Sequence, residues 1–138
     1  MSFQNPSDDE IRTFLQKMKH IAVVGLSPKP DRPSFGVAQV MQDAGYRIIP
    51  VHPGASEILG EKAWPDLASV PDAIDLVDVF RKAEDVDAVV DEAIRLKLPA
   101  IWIQLGIINE AAAERARAAG MFVVMDRCLK VEWRRLCA

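Results

Sequence analysis

The stretch Ile21-Ala22-Val23-Val24-Gly25-Leu26-Ser27-Pro28-Lys29-Pro30-Asp31-Arg32-Pro33-Ser34-Phe35-Gly36 decides how the rest of the chain is read. Its first four residues are apolar, three of them β-branched, and they run without a polar interruption up to a glycine. A continuous apolar run of this kind suits a parallel strand buried on both faces. Gly25 can make the tight turn off that strand. After a proline-rich loop, Ser34 stands where it can cap a helix carrying Val37, Val40, Met41 and Ala44, with Gly45 as its stop.

The same rhythm continues along the chain. Further apolar runs occur at Arg47 to Val51, Asp75 to Phe80, Ala100 to Leu105 and Met121 to Met125. Helical spacing fills the gaps between them. Glu84 to Lys97 carries Val86, Val89, Val90, Ala93, Ile94 and Leu96 and is closed by Pro99. Asn109 opens an alanine-rich segment that ends at Gly120. Ser7 and Glu10 have capping-box spacing ahead of Ile11, Phe14, Leu15 and Met18, and a closing helix is expected from about Arg127 to Leu136. Strands alternating with helices imply right-handed crossovers and a parallel sheet covered on both faces. The expected fold is therefore α/β, a Rossmann-like, doubly wound, five-stranded parallel sheet. The segment from His52 to Pro71 breaks the rhythm with Gly54, Gly60 and Pro65 and reads as a loop, with room for a short strand or helical turn.

Composition narrows the function classes. The 138 residues suit one domain, 1–138, with no internal repeat or linker. A formal charge of -3 argues against the basic footprint of a nucleic-acid binder but permits a local basic site. No apolar run approaches the roughly 20 residues needed to span a bilayer. The opening residues Met1 to Pro6 lack the basic and apolar regions of a secretory signal. Cys128 and Cys137 match no metal-ligand spacing and no disulfide scaffold, so reduced thiols, a cytoplasmic location and no metal are expected.

In a doubly wound sheet, ligands bind beyond the carboxyl ends of the strands. The loop from Gly25 to Ser34 is therefore the first place to look for chemistry. Lys29 and Arg32 lie beside a helix start whose free N–H groups favour an anion. The prolines reduce the entropy lost when such a loop closes on a ligand. The loop is not the dinucleotide fingerprint, since Ser27 stands at the second glycine of Gly-x-Gly-x-x-Gly. It could equally be solvated surface with a capping serine.

The second strand ends in Val51-His52-Pro53-Gly54, without the acid that usually binds the ribose hydroxyls of NAD. A site lacking that acid tolerates a phosphorylated ribose, as in coenzyme A or NADP. His52 could meet such a phosphate or be plainly exposed. Phe80 and Arg81 follow another strand, and Arg81 could hold a phosphate or pair with an acid. Gln104, inside an apolar run, must find a polar partner, either a ligand amide or a neighbouring loop. Asp126, Arg127 and Cys128 follow the last strand.

With these residues assembled, the chain resembles the small bacterial CoA-binding proteins. It is also similar to the N-terminal CoA-binding domain of the succinyl-CoA synthetase α subunit. The resemblance runs from about His20 to Trp133. It rests on Val24 to Lys29 with Pro33-Ser34, Val77 to Arg81, Trp102 to Gly106 and Val124 to Cys128. It implies a coenzyme A site built from Gly25, Ser27, Pro28, Lys29, Arg32 and Ser34, with the adenine near Val51 and Pro53. Phe80 and Arg81 would lie over the ligand and Gln104 near the pantetheine. Cys128 is expected at the ligand-bearing edge, close to the thiol end, or else as a small buried apolar residue. The family commonly has asparagine where this chain has His52, so contacts there are expected from the backbone.

The expected function is a stand-alone, non-catalytic module that binds CoA or an acyl-CoA as carrier, sensor or accessory subunit. A homo-oligomer or a partner enzyme subunit is compatible with that role. The alternatives are an NADP-dependent oxidoreductase, a subunit of an acyl-CoA ligase, or an interaction protein that has lost its ligand.

Overall fold

The computed structural model describes residues 3–138; Met1 and Ser2 of the opening stretch lie outside the described residues. Five parallel strands form one sheet: β1 (His20–Val24), β2 (Arg47–Val51), β5 (Leu76–Val79), β6 (Ala100–Gln104) and β7 (Phe122–Arg127). Their order across the sheet is β2-β1-β5-β6-β7. The chain winds to one side of β1 first and then returns to build the other side. The switch point therefore lies between β1 and β5.

Alternation along the strands sorts the side chains onto two cores. Ala22, Val77, Val79, Ile101, Ile103 and Val123 face α3 (Val86–Arg95) and α4 (Glu110–Ala118). Ile21, Val23, Leu76, Trp102 and Val124 face α1 (Asp8–Lys17), α2 (Pro33–Asp43) and α5 (Leu129–Leu136). Both faces are covered, as the apolar runs require, and the α/β class with a five-stranded parallel sheet stands. The capping box on α1 forms as the spacing predicts, with the Ser7 side chain accepting from the Glu10 N–H and Glu10 accepting from the Ser7 N–H. Asn109 likewise caps α4 through the Ala112 N–H.

Two local expectations are corrected and a third is made specific. First, α2 starts two residues earlier than a Ser34 cap would set it: Arg32 is the N-cap and Pro33 the first helical residue. Proline suits that position because its fixed φ is helical and its missing N–H costs nothing there. Second, β7 runs beyond Met125 to Arg127, with a register irregularity opposite Ile103 and Gln104 and with Asp126 at φ 61°. Third, the room left after His52 for a short strand or helical turn is filled by a hairpin of β3 (Glu57–Ile58) and β4 (Glu61–Lys62) and then a 3-10 turn at Leu67–Ser69. Leu59 and Gly60, both at positive φ, make its two-residue turn. Strands of two residues are too short to leave a periodic signal. No helix among the described residues is long and apolar enough to cross a membrane.

Candidate functional site

The carboxyl ends of β1, β2 and β5 are locked together by backbone bonds. The Gly25 N–H donates to the Val51 carbonyl at 3.1 Å, and the Phe80 N–H donates to the Val24 carbonyl at 2.9 Å. Gly25 sits at φ 86°, and a β-carbon there would penetrate the Phe80 carbonyl oxygen. Both the turn and the close approach of two strand ends therefore require glycine at this position.

Directly above these ends lies an open cleft of about 630 Å³. It is lined by Gly25, Ser27, Pro28, Lys29, Arg32 and Ser34 of the β1–α2 loop, by His52 after β2, and by Phe80 and Arg81 after β5. Nine of the thirteen residues picked from the sequence thus meet in one cavity. Pro53 lines an adjoining lobe of about 440 Å³, which shares His52, Phe80 and Arg81 with the main cleft. Val51 is buried in the strand beneath.

The wall formed by the β1–α2 loop is organised by its two serines. The Ser27 N–H donates to the Ser34 hydroxyl at 3.0 Å, and the Lys29 N–H donates to the Ser27 hydroxyl at 3.1 Å. Ser34, only 6% exposed, therefore braces the loop instead of capping its own helix. Four cations line the cleft: Lys29, Arg32, Arg81 and Lys82. Arg81 is tethered to Asp85 at 3.6 Å, whereas no ion pair engages the other three among the described residues. Uncompensated cations beside a helix start, over a glycine turn, suit a polyanionic ligand with phosphate groups.

The sequence reading missed Lys82 and Ile107, which also line the cleft. Lys82 could have been found as the next residue after Arg81. Ile107 belongs to the loop after β6, where an isoleucine between Gly106 and Ile108 gives no signal of a place in the cleft.

Two picked residues lie elsewhere. Gln104 is 3% exposed and does not line the cleft. Its amide donates to the Asp78 carboxylate, and its oxygen accepts from the Leu129 N–H at 3.4 Å. Asp78, with no exposed surface, has one carboxylate oxygen without a partner. Burial pushes its carboxyl up to about 7, against a smaller lowering by the Gln104 hydrogen bond. Cys128 is the half-buried N-cap residue of α5, packed against the core on that face and outside the cleft.

A family described as the CoA binding domain matches residues 19–134 of the chain. The chain belongs to that family. The uncharacterized protein YneT of Bacillus subtilis is 48% identical over 128 residues, which cover 93% of this chain and 95% of that protein. The ADP-forming acetate–CoA ligase II of Archaeoglobus fulgidus is 32% identical over 76 residues, covering 54% of this chain but only 11% of the ligase. Among solved structures, a hypothetical protein of Pyrococcus horikoshii OT3 superposes with a TM-score of 0.92 at 35% identity, covering 100% of both chains. This CoA-binding domain is thus related both to stand-alone proteins of its own size and to a segment of a much larger ligase.

Proposed function

We propose that the protein binds coenzyme A or an acyl-CoA in the cleft above β1 and β5, acting as a stand-alone, non-catalytic carrier, sensor or accessory subunit. The observation that carries this reading is the convergence of Lys29, Arg32, Arg81 and Lys82 on a glycine-turned cleft at the switch point of the sheet. Coenzyme A brings a diphosphate and a 3′-phosphate, and four cations match that charge. Phe80 and His52 offer flat surfaces at the ends of β5 and β2, and the adjoining lobe by Pro53 offers room for the adenine. Family membership and the presence of a relative of nearly equal length support a module that works without the rest of a ligase.

In this reading Lys29 and Arg32 hold phosphates, while Ser27 and Ser34 keep the loop in place beneath them. A hydrogen bond to a charged group contributes roughly 1.5–3 kcal/mol. Lys29→Ala and Arg32→Ala should each weaken CoA binding about 10- to 150-fold in titration calorimetry. Both side chains are exposed on a loop, so thermal stability of the ligand-free variants should stay close to wild type. If one of them meets the 3′-phosphate, its loss also reduces the preference for CoA over dephospho-CoA. Unchanged affinity in both variants would overturn the assignment of the phosphate site to this loop.

A further inference from the structure

The charge of the cleft is laid out in one direction. Its cations come from the loops after β1 and β5, and the next strand in the sheet, β6, contributes only Ile107. That residue belongs to the segment Leu105-Gly106-Ile107-Ile108-Asn109, which carries no charge. Its two other large side chains point to solvent: Leu105 is 65% exposed and Ile108 is 55% exposed. They are two of the three exposed large hydrophobic residues among the described ones.

The segment is not loose. The Ile107 N–H donates to the Gln104 carbonyl at 3.0 Å, and the Gly106 N–H donates to the Asp126 carboxylate at 2.8 Å. The Asn109 amide donates to the Ala83 carbonyl at 3.0 Å, which anchors the segment next to Lys82 on the cleft wall. A fixed loop that carries no charge of its own and holds apolar side chains in water beside a cationic cleft suits an apolar occupant.

We infer that the ligand is an acyl-CoA whose hydrocarbon chain lies across Ile107 onto Ile108 and Leu105. The anionic head fixes the ligand's polarity, because its phosphates are drawn to the β1 and β5 loops. Its acyl end is thereby directed along the sheet edge to β6. Contact with two half-exposed aliphatic side chains removes enough apolar surface from water to raise affinity roughly tenfold. The inference rests on the CoA reading of the cleft and adds the class of acyl group, a medium-length hydrocarbon chain.

The test is titration calorimetry of wild type and of a Leu105→Ser/Ile108→Ser double variant with CoA, acetyl-CoA and octanoyl-CoA. Both side chains are exposed, so the variant keeps its fold, checked by an unchanged melting temperature without ligand. Octanoyl-CoA should bind wild type about tenfold tighter than CoA, acetyl-CoA should resemble CoA, and the double variant should lose the octanoyl gain while keeping its affinity for CoA. CoA binding with no octanoyl gain, or a gain that survives in the double variant, would overturn the acyl site and leave the CoA reading intact. Failure of wild type to bind CoA at all would instead remove the reading beneath it. Light scattering on the same samples supplies the remaining arm: a wild-type dimer that the double variant dissociates would make the patch a self-association face and overturn the acyl site.

Discussion

Gly25→Ala should be among the most damaging single substitutions in the chain, costing about 4 kcal/mol of folding stability. Two costs act at once. A side chain at φ 86° is strained for any L-residue, by about 1–2 kcal/mol. The added β-carbon would also overlap the Phe80 carbonyl oxygen and come within 3.1 Å of the Arg81 Cδ. The obstacle is backbone at the end of a buried strand, so β1 and β5 must separate to relieve it. That separation breaks the Phe80 to Val24 hydrogen bond and displaces Arg81 from the cleft. Gly45 is the control, because it has φ 104° but no atom within 4 Å of an added β-carbon. Gly45→Ala should cost only the conformational part, about 1–2 kcal/mol. Urea denaturation of both variants checks the contrast, and equal losses would show that the close approach at Phe80 is unimportant.

Asp78→Asn should remove a large pH dependence of stability. The unfolded carboxyl titrates near 3.8 and the folded one near 7. Between those values the folded protein holds a proton that the unfolded chain has released, so stability falls as pH rises through that window. It is level below about pH 4 and again above about pH 7 as far as this group is concerned. At about 1.4 kcal/mol per pH unit, the loss across the window amounts to roughly 4 kcal/mol. The cause is a fully buried carboxylate with one oxygen unpaired and only the Gln104 amide to stabilise its charge. Asparagine has nearly the same shape and never ionises. The variant should therefore differ little from wild type at pH 4 and be markedly more stable at pH 8, in parallel urea titrations. Parallel curves for the two proteins from pH 4 to pH 8 would contradict a buried, proton-binding Asp78.

Asp78 also shows where reading the sequence alone stops. It sits inside an apolar run, and Gln104, on the next strand, is the one of the two that the sequence marks as a polar residue in need of a partner. The pairing of β5 with β6 places them on the same face of the sheet, where they satisfy each other in part. Nothing in the linear order of residues announces that neighbourhood. The family resemblance implies Gln104 near the pantetheine, but the side chain turns toward α5 and the core.

The strands were legible for a simple reason. A strand covered on both faces by helices is apolar at nearly every position, so Ile21 to Val24 and Ala100 to Ile103 stand out from their surroundings. The ends of elements were harder. Ser34 has the right chemistry for a cap, but Pro33 is better suited to the first helical position and moves the start of α2 forward. The cleft was legible because the strand-end rule places its residues on one side of the sheet, and Lys29, Arg32, His52, Phe80 and Arg81 each follow a strand. Ile107 obeys the same rule, but an isoleucine beside an apolar strand reads as core until the loop is seen to bend over the cleft.

The central claim is that this cleft takes coenzyme A, and native mass spectrometry of the ligand-free chain mixed with equimolar CoA or NAD tests it most directly. The account predicts one CoA bound per chain, no comparable adduct with NAD, and loss of the CoA adduct in a Lys29→Ala/Arg32→Ala double variant. Absence of a CoA adduct on the wild-type chain, or an NAD adduct of equal intensity, would contradict it.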